Sequence, residues 1–594
     1  MHFSFLDDLH SFLEKELNAT VPPLAVDLCP EGFEGDVTLS CFPLGKALRT
    51  NPMALATKAG AYLAAHPAVE KCQVAKAFVN LTLKSGVLME ETVGRDILAQ
   101  EVLPAEERRK ILIEFSAPNT NKPQHLGHVR NNTIGMSTAA LLKRAGHQVI
   151  QVNLVNDRGI HICKSMLAYQ RFGEGCTPES TGKKGDHLVG DFYVRYNQEL
   201  SRQIAQLKEE RPELAQKDSE ELFLETEIGQ ATARMLQEWE AGDPQVRALW
   251  EEMNGWVFQG FGETYRRMGI HFDKVYLESQ TYRLGKDIIL KGLERGVFQR
   301  REDGAVIMDF HDERLGTKVV LRSDGTSVYI TQDIGTTLLK QEEFQPDQQI
   351  WVVGDEQIYH FTVLFTILKA LGYTWADRLT HLAYGMVNLP SGKMKSREGT
   401  VVDADDLFDE MAGLARKATL ERVPEGEQPP QDLEERARVI SMAALKFMLL
   451  KVNPRSLITF DPNAAIKFEG DTGPYVLYAY ARLSSMLRQP GVAEARGQAP
   501  DWDALVEPPE HRLALRCAKY PEILAKSARE MDSSVLAAYL LDLSKDFSSF
   551  YNKCPVKNAQ DSRVKTARVA LCEAARRIIG DGLHTLTIQT LESM

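Results

Sequence analysis

The sequence predicts an α/β fold: a doubly wound parallel sheet, flanked by an N-terminal α+β domain and a C-terminal all-α helical domain. Three observations carry this. Short apolar runs alternate with helical patterns, as in ILIEF (111–115), a helix over 129–144 and QVIQVNLV (148–155); strands alternating with helices build parallel sheets. Charged, proline-bearing stretches, EVLPAEERRK (101–110) and EGEQPPQDLEER (425–436), mark breaks in the chain. Beyond the second break the pattern is helical with few strand signals, ARVISMAALKFMLLK (437–451) being a clear amphipathic case.

These breaks divide the chain into 1–104, 105–424 and 425–594. In the first part, Phe5, Leu6, Leu9, Phe12, Leu13 and Leu17 fall along one side of a helix, and FVNLTL (78–83) reads as a strand. In the second, residues 183–255 are rich in Glu, Gln, Lys and Ala and read as a charged helical insertion. The runs AVIMDF, KVVLRS, SVYIT and QIWVVG, between 305 and 354, are expected to complete the sheet.

A chain of 594 residues, 43% apolar and 26% charged, can bury several cores. Its net charge of -12 disfavours a protein that coats nucleic acid indiscriminately. No stretch approaches the ~20 apolar residues of a membrane helix, and the acidic N-terminal helix is no signal peptide. We expect no membrane partner and a cytoplasmic location. The eight cysteines form no C-x-x-C pair, which disfavours a zinc ribbon and fits reduced thiols; no structural metal is expected.

Chemistry concentrates at NKPQHLGH (121–128), between a strand and a helix. His-x-x-His can bind zinc, but a catalytic site needs a third ligand and a base. Two buried, satisfied histidines are the plain alternative. The context favours a phosphate site: a helix start attracts anions, Gly127 lets a nucleotide approach, and imidazole N–H groups can donate to phosphate.

The run E-F-S-A-P-N-x-x-K-P-x-H-L-G-H (114–128) resembles the arginyl-tRNA synthetases, and HLGH the "HIGH" signature of class I aminoacyl-tRNA synthetases, whose catalytic domain is Rossmann-like. The resemblance implies ATP binding by Pro123, His125, Gly127 and His128, with Lys122, His125 and His128 catalytic. SGKMKSREG (391–399) is similar to the class's K-M-S-K-S loop but departs in spacing: Lys393 and Met394 fit, then Lys395, Ser396 and Arg397 follow. The resemblance implies that a lysine just ahead of the histidine turn, here Lys122, compensates, so Lys393, Lys395 and Lys122 are candidates of similar standing for the pyrophosphate cation, with Lys393 and Met394 touching ATP and Arg397 behind.

For arginine, the resemblance implies Glu114, Ser116 and Asn119 before the histidine turn, Tyr329 and Asp333 in a Y-x-x-x-D element, and Gln357 in WVVGDEQIYHF (351–361). A guanidinium's planar fork suits carboxylates and a hydroxyl-bearing ring. FEGDTGPYVLYAYARLSSMLR (468–488) resembles the start of a helical anticodon-binding domain, with Tyr478, Tyr480 and Arg482 nominated for RNA contact; residues 1–104 resemble the family's additional tRNA-contacting domain. The expected activity is ATP-dependent ligation of L-arginine to its cognate tRNA through arginyl-adenylate, releasing AMP and pyrophosphate. Magnesium accompanies the ATP, and the chain is expected to be a monomer. A class I synthetase for another amino acid and a non-catalytic tRNA-binding protein are the rivals.

Overall fold

A computed structural model describes the chain apart from residues 31, 311, 313, 389 and 391–401. The core of the catalytic region is built from β1 (Lys110–Glu114), α1 (Leu126–Arg144), β2 (Gln148–Val155), α2 (Gly185–Glu210), α3 (Pro244–Met268), β3 (Lys274–Leu277), α4 (Tyr329–Phe344), β4 (Gln348–Gly354), α5 (Ile358–Ala370), β5 (Leu379–Tyr384) and α6 (Ala404–Leu420). The five strands are all parallel, in the spatial order β5-β4-β1-β2-β3. Strand order reverses between β4 and β1, so the crevice beyond their carboxyl ends is where such sheets hold ligands.

Both faces of the sheet are covered, which explains the unbroken apolar runs. Ile111 and Ile113 enter a core continuous with the N-terminal and C-terminal helices, whereas Leu112 packs with Ile150, Val152 and Tyr276 on the other face. The N-terminal region is a four-stranded antiparallel sheet with helices Phe5–Leu17 and Pro52–Ala64; of the anticipated apolar stripe, Phe5, Leu6, Leu9 and Leu13 are buried and Phe12 and Leu17 partly so. After α6 the chain is helical, with α7 (Leu433–Leu450), α8 (Gly473–Leu487), α9 (Ser533–Lys553) and α10 (Ser562–Thr585). Among the described residues, no helix is long and apolar enough to cross a membrane.

Three expectations about the middle region need correction. The runs at Val306–Asp309 and Thr317–Leu321 form a separate three-stranded antiparallel sheet with Gln299–Arg300. SVYIT opens α4 instead of forming a strand, despite its β-branched residues. Packing overrides propensity there: the Thr331 hydroxyl donates to Val320 O, and a Cβ on Gly285 would stand 1.7 Å from Thr331 O, so this turn of α4 sits tightly on its neighbours. The helical pattern that begins at 183 runs beyond residue 255, to Met268, and Tyr196, Trp256 and Phe261 share a core with Ile162, Met166 and Leu167 upstream. The sheet is completed by QIWVVG with β3 and β5, two half-exposed edge strands whose sequences lack continuous apolar runs.

Candidate active site

The histidine turn is built by its own backbone needs. His125 is the N-cap of α1, and its Nδ1 accepts the Gly127 N–H at 3.1 Å. The His125 N–H in turn donates to His128 Nδ1 at 3.2 Å. A helix start leaves four N–H groups without intrahelical partners, and here imidazoles take the part usually played by Ser and Glu in a capping box. The rings lie 4.0 Å apart between centroids. Because each Nδ1 accepts, the proton of each neutral ring is assigned to Nε2. Burial and the neighbouring Lys122 push His125 down to about 4; burial, His125 and Lys122 push His128 well below the ordinary imidazole range. Both rings are thus neutral Nε2–H donors. A Cβ on Gly127 would meet the His125 ring at 2.8 Å, so glycine is required for the ring to fold over the turn. Just upstream, Thr120 Oγ1, Asn121 Oδ1 and Gln124 Nε2 are buried and lack hydrogen-bond partners among the described residues.

The chain leaving β1 is strained, with Ser116 at φ 81° and Ala117 at φ 45°. Non-glycine residues hold such angles only when the surroundings enforce them. The Ser116 N–H donates to Asn131 Oδ1 (2.6 Å) and the Ala117 N–H to Asn153 Oδ1 (3.0 Å). Asn131 also donates to Val352 O at 2.7 Å, tying α1 to both central strands at the switch point.

Beyond the strand ends lies a cleft of about 990 Å³ whose lining includes Asn119, Arg158, Glu278, Tyr282, Tyr329 and Gln332. Tyr329 and Asp333 are one helical turn apart at the start of α4; Asp333 Oδ2 lies 2.6 Å from His360 Nε2, on α5. Glu278 follows β3 directly. Burial raises its carboxyl to about 7, Asp157 and Asp333 adding to the rise and Arg158 opposing it. Sequence reasoning missed Glu278 and His360. The signal for Glu278 was an acid at a strand's carboxyl end, in a strand too short to recognise.

The other candidate residues occupy different settings. Ser116 is buried, its hydroxyl 2.7 Å from Tyr265 OH, so it supports the turn and does not face the cleft. Glu114 is buried and its Oε2 accepts from the equally buried Lys340 at 2.7 Å; an unpaired ammonium there would be costly, so this carboxylate is already engaged. Gln357 is exposed, at the N-cap of α5. Lys122 and Pro123 line a smaller cleft with His125. Lys393, Met394, Lys395 and Arg397 lie outside the described residues.

Family models match three stretches: residues 5–83 fit "Arginyl tRNA synthetase N terminal domain", 94–461 "tRNA synthetases class I (R), catalytic domain" and 476–594 "DALR anticodon binding domain". The chain belongs to the arginyl-tRNA synthetase family. It is 44% identical to the arginine–tRNA ligase of Parabacteroides distasonis, over 95% of this chain and 94% of that one. The same figures hold for the enzyme of Bacteroides thetaiotaomicron. The solved arginyl-tRNA synthetase of Thermus thermophilus superimposes with a TM-score of 0.80 at 26% identity, covering 100% of both chains.

In this arginyl-tRNA synthetase chain the nominated RNA-facing residues divide. Tyr480 is only 7% exposed, accepts from Arg576 (3.0 Å) and donates to Glu592 (2.9 Å); it holds α8 to α10. Tyr478 and Arg482 are half-buried, with the Arg482 guanidinium 5.6 Å from the Tyr478 ring and 4.1 Å from Tyr551, and Arg422 5.5 Å from Tyr478. Alternating guanidinium and aromatic faces of this kind can stack bases.

Proposed function

We propose that His125, His128 and Lys122 bind the triphosphate of ATP at the start of α1, while Asp333, Tyr329, Glu278 and Asn119 hold arginine in the adjoining cleft, with Gln357 nearby. The enzyme is an arginine–tRNA ligase that uses ATP. The arginine carboxylate attacks the α-phosphorus in line, the bond to the β-phosphate oxygen breaks, and pyrophosphate leaves. The 2′-hydroxyl of the terminal adenosine of tRNA then attacks the arginyl carbonyl, releasing AMP. Charge grows on phosphate oxygens in the first step, so preorganised donors supply the electrostatic stabilisation. Lys122 adds a cation, and Lys393 and Lys395 of the signature loop are further candidates for the departing pyrophosphate. Magnesium enters as the ATP complex. We also propose a monomer acting in the cytoplasm, organised as 1–104, 105–424 and 425–594, with the first and last parts on tRNA and Tyr478 and Arg482 on the RNA-facing side.

What supports this reading is the pair of Nδ1 acceptors, which leaves two Nε2–H donors at the start of α1. It is tested by ATP–pyrophosphate exchange with each amino acid, with and without tRNA. Arginine alone should support exchange, and tRNA should be required. Exchange with a different amino acid, or none under any condition, rules the reading out.

Glu278 adds a pH signature. Its carboxyl is raised to about 7, so below that pH a cation must displace a proton to bind. The KM for arginine should fall as pH rises through about 7 and level off above it. Glu278→Gln should raise that KM and abolish the fall; a wild-type KM flat between pH 6 and 8 would remove Glu278 from the arginine site.

A further inference from the structure

The segment Val402–Ala404 is stitched to the histidine turn. Val402 O accepts the Leu126 N–H at 3.0 Å, and Gln124 O accepts the Ala404 N–H at 2.9 Å. His125 thus faces Asp403 across a short antiparallel bridge. Asp403 caps α6 through Oδ1, which accepts from the N–H groups of Asp405 (2.8 Å) and Asp406 (3.2 Å).

Asp405 carries the load from the other side. Its Oδ2 accepts from Lys184 Nζ at 2.6 Å and from Thr264 Oγ1 at 3.1 Å, and its Oδ1 from Arg267 at 3.0 Å. Lys184 immediately precedes α2 and also donates to Thr264 Oγ1 (2.6 Å) and Asp186 Oδ2 (3.1 Å). Thr264 and Arg267 belong to α3. His187 Nε2 stands 3.4 Å from Asp403 Oδ2 and 3.7 Å from Asp405 Oδ2. The two insertion helices approach at backbone distance: a Cβ on Gly260 would meet Asp186 Oδ1 at 2.2 Å, and one on Gly185 would meet Trp256 O at 2.2 Å.

The ligand atoms of Asp186, His187 and Asp405 lie within 4.8 Å of one another, a spacing that suits a metal ion. The Lys184 ammonium already bonds to both carboxylates, so the cation of this cluster is a side chain. A buried ion pair of this geometry is costly to break from one side only, which makes it a rigid joint.

We propose that Asp405 is a positioning residue for the ATP half-reaction. Anchored by Lys184, Thr264 and Arg267, it holds residues 402–404 against the histidine turn, so that the seating of the helical insertion sets the orientation of His125. The inference rests on the reading of that turn as the triphosphate site. Backbone bonds grip the turn on both sides of His125, at Gln124 O and Leu126 N, so slack at Asp405 reaches the imidazole directly. Displacements on the order of 1 Å in a reacting constellation can cost ~10²-fold in rate.

The test is ATP–pyrophosphate exchange with Asp405→Asn and Lys184→Met, singly and together, beside thermal unfolding. Each single change should raise the KM for ATP about tenfold and lower kcat, with the arginine KM within about twofold, and the double variant should be no worse than the worse single one. Lys184→Arg should recover most of the loss. Thr264→Val removes one hydroxyl without stranding a charge, and should give the same split in smaller measure even if the charge variants fold poorly. Equal rises in both KM values mark a merely structural cluster and overturn the proposal. So does an unchanged ATP KM beside a His128→Ala variant that has lost kcat, which leaves the ATP site standing. If His128→Ala is silent as well, the triphosphate reading falls and this inference with it.

Discussion

His128→Ala is expected to lower kcat for adenylate formation by ~10²–10³-fold, the usual effect of removing one preorganised donor from a site of developing negative charge. The KM for arginine should hardly move, since the ring belongs to the nucleotide side. The same ring also caps α1 by accepting the His125 N–H, so a stability loss of about 1 kcal/mol should accompany the change. His128→Asn separates the two roles. An asparagine oxygen can stand near the position of Nδ1 and keep the cap, but nothing replaces the Nε2–H. Stability should recover and kcat should not. Recovery of both would show that His128 serves the helix alone. Because burial and the neighbouring His125 and Lys122 keep the ring well below its ordinary range, it is neutral where an ordinary imidazole titrates, and His128→Ala should leave the shape of the exchange pH profile unchanged there.

Asp333→Ala is the second large effect. The carboxylate meets His360 through Oδ2 at 2.6 Å, which fixes its plane and leaves Oδ1 for a ligand donor. Removing one partner of a desolvated charge pair costs about 2–5 kcal/mol, so the KM for arginine should rise on the order of 10²-fold while that for ATP stays within about threefold. Steady-state exchange with each substrate varied in turn reads the difference. Comparable rises for both substrates would show that the guanidinium sits elsewhere. A site that satisfies each N–H of the ligand also discriminates strongly against analogues lacking them, so the variant should lose its preference for arginine over lysine as well.

Local sequence was a good guide wherever the structure is local. The amphipathic stripe of Phe5–Leu17, the strand at 148–155 and the strand-to-helix step at the histidine turn all follow from neighbouring residues, although the helix begins at Leu126, ahead of the expected start at 129. It failed at SVYIT because the packing of Gly285 and the Val320 carbonyl against Thr331 decided for helix. The intramolecular partners of Glu114 and Tyr480 were invisible to it, because Lys340 and Arg576 come from distant parts of the chain.

By itself the sequence determined the kind of chemistry. Two histidines and a glycine at a strand-to-helix step favour an anion site, because a helix start presents free N–H groups and imidazoles can add donors. Only the tertiary structure decided which groups gather around Asp333. Glu278, Asp333 and His360 follow β3, open α4 and enter α5. They converge because all five strands run parallel, which puts the carboxyl ends of β3 and β4 and the start of α4 on the same side of the sheet, and pairing across such separations is set by packing of the whole sheet, which no local pattern records.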